Sequence, residues 1–390
     1  MKERKRKIHT LISATLLFAM LTSCSLREGR GDSTQGESTT LKESDTPAQA
    51  TEEITTADVL PEGVKLTMSQ ISTVSAESYR DEDKYSEYIR ASEKRYLVPG
   101  LVQNTVPQGL SVSPDDGRIY VSSYSNLKNT PSVILVMNKD GVSVAEYFIR
   151  NSDGTPFTGH VGGIAVTEHY MYVAVGSDGE GAYCLAEFKL SELQRYGTSD
   201  IKIEKTVSVP SGTGFLSYAD GILWTGNFYL KGTYDLGSKF NFTTTVDGKA
   251  YGGYAAAYSL DKENARLVED DKLGYAKPSF VLAVPDKVQG FAYRGGKVFL
   301  SISYGRKNDS FLSVYSFVPG NTQKTVEIDN VSYDFETLGQ KNHVKTFTLM
   351  PMTEGLTFDT DGGLLVLFES AAMKYADSRC PTAYIWATEF

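Results

Sequence analysis

Two glutamates stand near the ends of the stretch TEGLTFDTDGGLLVLFES, Glu354 at its second position and Glu369 at its last but one. Between them lie two short apolar runs separated by the turn sequence DTDGG, which is the grammar of a β-hairpin. A hairpin brings its two ends together, so the two carboxyls are expected side by side. Carboxyls placed that way hold a hard cation or accept hydrogen bonds from a polar ligand. As plain strand-end charges they pair instead with nearby cations such as Arg306 or Lys374.

The element that must position them recurs along the chain. QGLSVSPDDGRIYVSSYS, GGIAVTEHYMYVAVGS, TGFLSYADGILWTGNFY, QGFAYRGGKVFLSISYG and EGLTFDTDGGLLVLFES each read as a glycine, a short apolar strand, a tight turn and a second strand. The shared glycines are Gly109, Gly163, Gly214, Gly290 and Gly355, spaced 54, 51, 76 and 65 residues apart. The first four units then offer two further strands each, for example SVILVMN and VAEYFIR in the first. Four strands per unit make a propeller blade. The fifth unit has a third strand in TAYIWATEF and then the chain stops, one strand short, while RYLVPGL (Arg95–Leu101) stands unclaimed before the first unit. The expected fold is therefore an all-β propeller of four-stranded blades, five being the favoured count and six the alternative. The N-terminal strand closes the ring and removes its open edges. One short N-terminal helix is expected within AESYRDEDKYSEYIRASEKRYL, Ala76–Leu97, whose tyrosines and charges have helical spacing.

In such a ring the residues just before each shared glycine, and those ending each second strand, collect at one mouth of the central channel. Gln108, His160, Thr213, Gln289 and Glu354 are expected to line it, with Tyr124, Asn227, Tyr304 and Glu369 behind them. The loops after the second strands open on the same face. The long one between Gly226 and Gly253 is rich in Tyr, Phe, Gly and Thr; SYGRKNDS brings Arg306, Lys307 and Asp309; the last brings Lys374, Tyr375 and Arg379. The candidate ligand-binding set is Gln108, Tyr124, His160, Thr213, Asn227, Gln289, Tyr304, Arg306, Glu354, Glu369 and Tyr375. His160 is the one histidine expected at the mouth, as a general base or as a hydrogen-bonded turn residue. Tyrosine is abundant, 24 of 390 residues; its rings stack on sugars and peptides, or pack between blades as strand residues.

SPDDGRIYVSS, Ser113–Ser123, resembles the strand-turn-strand signature of secreted and periplasmic propellers, the gluconolactonase-like, strictosidine-synthase-like and NHL or YVTN repeat proteins. The likeness spans Arg95–Phe390. The gluconolactonase-like members imply a divalent cation such as calcium near the axis, held by carboxylate and amide oxygens; Glu354 and Asn227 match that ligand type. The family's further Asn and Asp ligands have no counterpart here, so Gln108 and Gln289 would have to substitute. Ser113, Asp115, Gly117 and Tyr120 also resemble a sialidase-type Asp-box, a turn device.

The chain opens MKERKRK, followed by the short apolar run Ile8–Leu21, as a cleaved signal does. LTSC, Leu21–Cys24, resembles the bacterial lipoprotein signal, which implies lipidation of Cys24 and a protein anchored to a membrane outside the cytoplasm. The leader's five basic residues and one acid carry +4, so its removal takes the net charge from −9 to −13, which disfavours nucleic acid as a partner. Residues 24–62 are Ser-, Thr- and Glu-rich and read as a disordered tether; residues 63–94 are a helical lead-in and 95–390 the propeller. The tether contains Arg30-Gly31-Asp32, three common polar residues that recur by chance. Cys184 and Cys380 are read as buried unpaired thiols, with a single disulfide as the alternative. No phosphate loop, zinc pair, haem motif or recognisable Ser-His-Asp spacing is present. Three functions stay open: a binder of a small polar ligand, carbohydrate or peptide-like, which is favoured; a metal-dependent lactonase or esterase; and a scaffold for another envelope protein.

Overall fold

The computed structural model describes residues 58–68, 78–177, 182–234, 239–240, 242–320 and 324–390. The expected signal segment, Cys24, the Arg-Gly-Asp tripeptide and the tether up to residue 57 lie outside them.

After two 3-10 turns, Ser78–Asp81 and Asp83–Tyr85, the chain forms one helix, α1 (Ser86–Arg90), and then strand β1 (Ser92–Leu97). The first blade is β2 (Thr105–Val112), β3 (Ile119–Ser125), β4 (Val133–Met137) and β5 (Ser143–Arg150). The second is β6 (Ile164–Val166), β7 (Tyr170–Ser177), β8 (Tyr183–Lys189) and, after the detached β9 (Gly197–Lys202), β10 (Thr206–Val209). The third is β11 (Phe215–Ala219), β12 (Ile222–Gly226), β15 (Gly253–Ser259) and β16 (Phe280–Val284), with the hairpin β13 (Thr244–Val246) and β14 (Lys249–Tyr251) in its long loop. The fourth is β17 (Val288–Arg294), β18 (Lys297–Ile302), β19 (Ser310–Ser316) and β22 (His343–Leu349), interrupted by β20 (Thr325–Ile328) and β21 (Val331–Thr337). The fifth is β23 (Thr353–Phe358), β24 (Leu364–Phe368) and β25 (Tyr384–Thr388), with β1 as its outer strand.

The ring of five four-stranded blades, closed by an N-terminal strand, is the expected fold, the closing strand being Ser92–Leu97 in place of the expected Arg95–Leu101. β1 runs antiparallel to β25, from Ser92 opposite Thr388 to Leu97 opposite Tyr384. The helix is much shorter than the span read from the sequence: it covers five residues, and the end of that span is β1. The unpaired edge of β25 offers Ser92–Leu97 a full ladder of hydrogen bonds, and that tertiary pairing overrides helical spacing. Tyr85 and Tyr88, on the helical part, are buried against the fifth blade.

Five strands have no counterpart in the sequence reading, β9, β13, β14, β20 and β21, and two of them join one blade to the next. β9 leaves the second blade between its third and fourth strands and lies parallel to β5 of the first. β21 leaves the fourth blade at the same point and lies parallel to β16 of the third. Each covers a neighbour's outer edge and stitches two blades together.

The shared glycines explain how tightly the ring closes. A Cβ on Gly163 would lie 2.1 Å from Leu216 N, on Gly290 2.4 Å from Glu354 O, on Gly355 2.6 Å from Leu110 N and on Gly109 2.7 Å from Ile164 N. These inner strands touch backbone to backbone across blade boundaries, where a side chain has no room. Gly214 differs, since its Cβ would meet Phe228 N in its own blade.

Residues 58–68 pack on the ring. Arg118, buried to 2 % exposure, clasps Asp58 through Nε (2.7 Å) and Nη2 (2.6 Å). The buried Glu146 carboxylate accepts from Thr67 N (2.6 Å), Met68 N (2.8 Å) and Thr198 Oγ1 (2.5 Å). Asp58 is thus fixed although it falls within the stretch expected to be tether. Cys184 and Cys380 are buried and no disulfide joins them. Cys380 donates to Glu82 Oε1 (3.0 Å).

Candidate functional site

Three of the inner strands reach the axis through a β-bulge. The β2–β3 register slips between Pro107 and Gly109, β17–β18 between Val288 and Gly290, and β23–β24 between Thr353 and Leu356. The residues left out of the ladder are Gln108, Gln289 and the Glu354–Gly355 pair. A bulge re-aims a side chain that strand alternation would otherwise fix, and here it turns two amides and one carboxyl into the mouth.

They open into a cavity of about 710 Å³. Its lining includes Gln108, His160, Thr213, Asn227, Gln289, Tyr304, Arg306, Glu354, Glu369 and Tyr375, ten of the eleven candidates. The eleventh, Tyr124, stands behind them: its ring lies 4.4 Å from that of His160, and its hydroxyl is 3.1 Å from Tyr375 Oη and 2.6 Å from Lys374 Nζ. Tyr183, Phe228, Tyr234 and Met352 also line the cavity and are absent from the sequence-derived set. Phe228 and Tyr234 lie in the long aromatic loop expected over the mouth; nothing in their spacing marks them individually.

The floor is the pair Glu354 and Glu369, 4 % and 8 % exposed. Each receives an amide from a different blade, Gln289 Nε2 on Glu354 Oε1 (3.1 Å) and Gln108 Nε2 on Glu369 Oε2 (3.0 Å). Among the described residues no cation pairs with either one. Arg306 is committed to Asp377 (2.6 Å), and Lys374 points at Tyr124. The plain pairing of these glutamates with Arg306 or Lys374 is therefore not what the fold makes.

Burial raises both acids, because a carboxylate loses its hydration. Glu354 is pushed well above the carboxylate range, first by burial and then by the charge of Glu369 and a hydrogen bond with it. Glu369 is pushed up to about 7 by burial, against the opposing hydrogen bonds of Glu354 and Gln108 and the charge of Lys374. The pair holds at least one proton at neutral pH and titrates as a unit. His160 is held down, to about 4, by the protein mass around it and then by Lys374. His160 is nevertheless open to the cavity it lines. It is neutral at pH 7.

The calcium set implied by the resemblance does not fit. Asn227 is buried with both amide atoms spent on the backbone, donating to Gly252 O (2.9 Å) and accepting from Tyr254 N (2.7 Å). It braces the start of the long loop instead of offering an oxygen to an ion. Both glutamines turn nitrogen, not oxygen, toward the carboxyls. Among the described residues no three His, Cys, Asp or Glu side chains converge, whereas calcium takes six to eight oxygens.

No family model matches this chain. No curated protein matches it either. Solved structures resemble it at low identity. A putative oxidoreductase (glucose dehydrogenase) from Thermus thermophilus is 14 % identical, with 76 % of this chain and 99 % of that one covered and a TM-score of 0.39. A GH43 enzyme from Xanthomonas citri complexed with xylose is 12 % identical over 78 % and 91 % of the two chains, TM-score 0.39. A glutaminyl cyclase from Myxococcus xanthus is 9 % identical over 73 % and 90 %, TM-score 0.35.

Proposed function

We propose that this propeller binds a small polar ligand, carbohydrate or peptide-like, in the cavity floored by Glu354 and Glu369. The observation that carries the reading is the floor itself: two buried carboxyls, each oriented by a glutamine from another blade and without a cationic partner among the described residues, facing a space of about 710 Å³. Buried carboxyls are costly to a fold and are seldom left without a charge partner unless a site uses them. The volume lies in the range of small-molecule pockets. Phe228, Tyr234 and Tyr304 supply apolar area on the wall, and the carboxyls and amides supply direction.

A thermal-shift screen of mono- and disaccharides and short peptides tests this. A ligand should raise the melting temperature of the wild type, and the rise should fall sharply in Glu354→Gln and in Tyr304→Ala. Hits that ignore both substitutions, or an empty screen, would sink the reading.

A second reading, acid–base hydrolysis of an ester, lactone or glycoside, draws on the two buried carboxyls set side by side, both of which burial makes weaker acids. One protonated acid beside one base is what such cleavage needs. Release of p-nitrophenol from aryl esters and aryl glycosides should then be bell-shaped in pH and fall about 10²–10⁴-fold in Glu369→Gln.

Anchoring outside the cytoplasm is supported by the leader and the LTSC sequence. Incorporation of labelled fatty acid that persists in Cys24→Ala would remove it.

A further inference from the structure

The dyad leaves open which chemical group the cavity seats, and the surroundings of the two glutamates narrow it. Every polar contact recorded for the carboxyl oxygens comes from a neutral amide or within the pair and its tyrosine neighbour. Three chain cations already seek the rings around the mouth. Lys287 Nζ stands 5.9 Å from the centre of Tyr304, Arg306 4.8 Å from Tyr375, and Lys374 4.8 Å from Tyr124. The rings of this face therefore favour positive charge, as the negative faces of aromatic π-systems do. Phe228 and Tyr234, edge to face at 5.3 Å, carry no such cation among the described residues and line the same space. The acidic floor and the negatively polarised rings of Phe228 and Tyr234 attract positive charge, against which Lys287, Arg306 and Lys374 at the mouth act.

We propose that the cavity is a seat for a protonated amine, as on an amino sugar, a peptide N-terminus or a polyamine, with the ammonium on Glu354 and Glu369 and its carbon skeleton against Phe228, Tyr234 and Tyr304. The inference rests on the small-ligand reading above and names the ligand's class. The balance is simple. The amine arrives as R–NH3⁺; the carboxyl that held the shared proton gives it to solvent; the ammonium then lies between two carboxylates. Binding therefore releases about one proton without making or breaking any other bond. The charged and titratable groups around the pair are Lys374 and Tyr375 of the last loop, His160 before the second blade, Tyr124 of β3 through Tyr375, and, on the cavity wall, Arg306 and the Lys287 that stands over Tyr304. Lys374, whose charge acts on Glu369 while its Nζ is bonded to Tyr124, opposes the ammonium and limits affinity.

The test uses the full chain and matched probes in calorimetry: glucosamine against glucose and N-acetylglucosamine, alaninamide against N-acetylalaninamide, and putrescine. The cationic member of each pair should bind at least tenfold more tightly than its neutral counterpart. Its binding heat at pH 7 should change with the ionisation heat of the buffer in proportion to about one released proton. Both signatures should disappear in Glu354→Gln. Tyr304→Ala, a change at a 40 % exposed side chain that leaves the core intact, should weaken the amine severalfold and serves if the floor variant unfolds. Neutral members binding as well as or better than cationic ones would overturn the amine seat while leaving the ligand site standing. No binding by any probe would overturn the amine seat, and the saccharide and peptide screen would then decide the broader reading on its own.

Discussion

Glu369 and His160 face one cavity and pull stability in opposite directions with pH. The Glu369 pKa rises from 4.5 to about 7 on folding, so between those values the folded chain holds a proton that the unfolded chain has released. The contribution is fully present below pH 4.5 and is lost as pH rises through 7. Because the two carboxyls titrate together, the slope belongs to the pair. Urea unfolding of the wild type should weaken from pH 4.5 to pH 8, and Glu369→Gln should reduce that slope, the remainder belonging to the buried Glu354. Equal slopes in the two proteins would mean the carboxyl is ionised in the fold. For His160 the folded value is lowered from 6.5 to about 4, so its contribution is present above 6.5 and lost as pH falls through 4. His160→Gln should flatten that acid limb, an unfolding series from pH 7 to 4 being the measurement. The two glutamates are legible in the sequence because a hairpin brings its ends together whatever the fold. Asn227 reads as a ligand there because an amide spent on the backbone of the next strand, at Gly252 and Tyr254, and one offered to an ion look alike in sequence.

At the level of elements, closure depends on a strand taken from the far end of the chain. β1 fills the outer place of the fifth blade and is held further by Tyr96, whose hydroxyl donates to Asp359 Oδ2 at 2.7 Å. A chain starting at Asp58 should fold cooperatively, whereas one starting at Val98 should expose the edge of β25 and aggregate; comparable solubility and melting of the two would refute the role of β1. Glu146 performs a similar office for residues 64–68. Its loss in Glu146→Ala leaves the amides of Thr67 and Met68 without their acceptor, at a cost of about 2 kcal/mol. The freed segment should then be cut by trypsin at the exposed Lys65 faster than in the wild type. The core strands are readable from alternation and turn residues. β9 and β21 are not: β9 (GTSDIK) is nearly all polar, and β21, although Val331, Tyr333 and Phe335 alternate in it, pairs with a strand of another unit.

On the scale of the whole ring, five blades close around glycine. Gly163→Ala places a methyl 2.1 Å from Leu216 N, and backbone cannot step aside as a flexible side chain does. The second and third blades must part, at about 2 kcal/mol or more. Chemical unfolding within ~0.5 kcal/mol of wild type would show that the two blades yield to the methyl without loss. The same closeness builds the site, since inner strands pressed together carry Gln108, Gln289 and Glu354 to one mouth. The four spacings of the repeats are uneven for a visible reason: the longest holds the β13–β14 loop and the next the β20–β21 insertion.

Sequence alone determined the repeat, the number of strands per unit, the closing strand and the face on which the candidate residues gather, because strand period, turn chemistry and glycine placement are local and repeat five times. Only the tertiary structure decided what those residues became. The bulges that aim Gln108, Gln289 and Glu354, the burial that lifts the two acids, the backbone bonds that occupy Asn227 and the short helix all depend on neighbours distant in sequence. Such neighbours set dielectric, register and hydrogen-bond partners, and none of the three can be read from spacing along one chain.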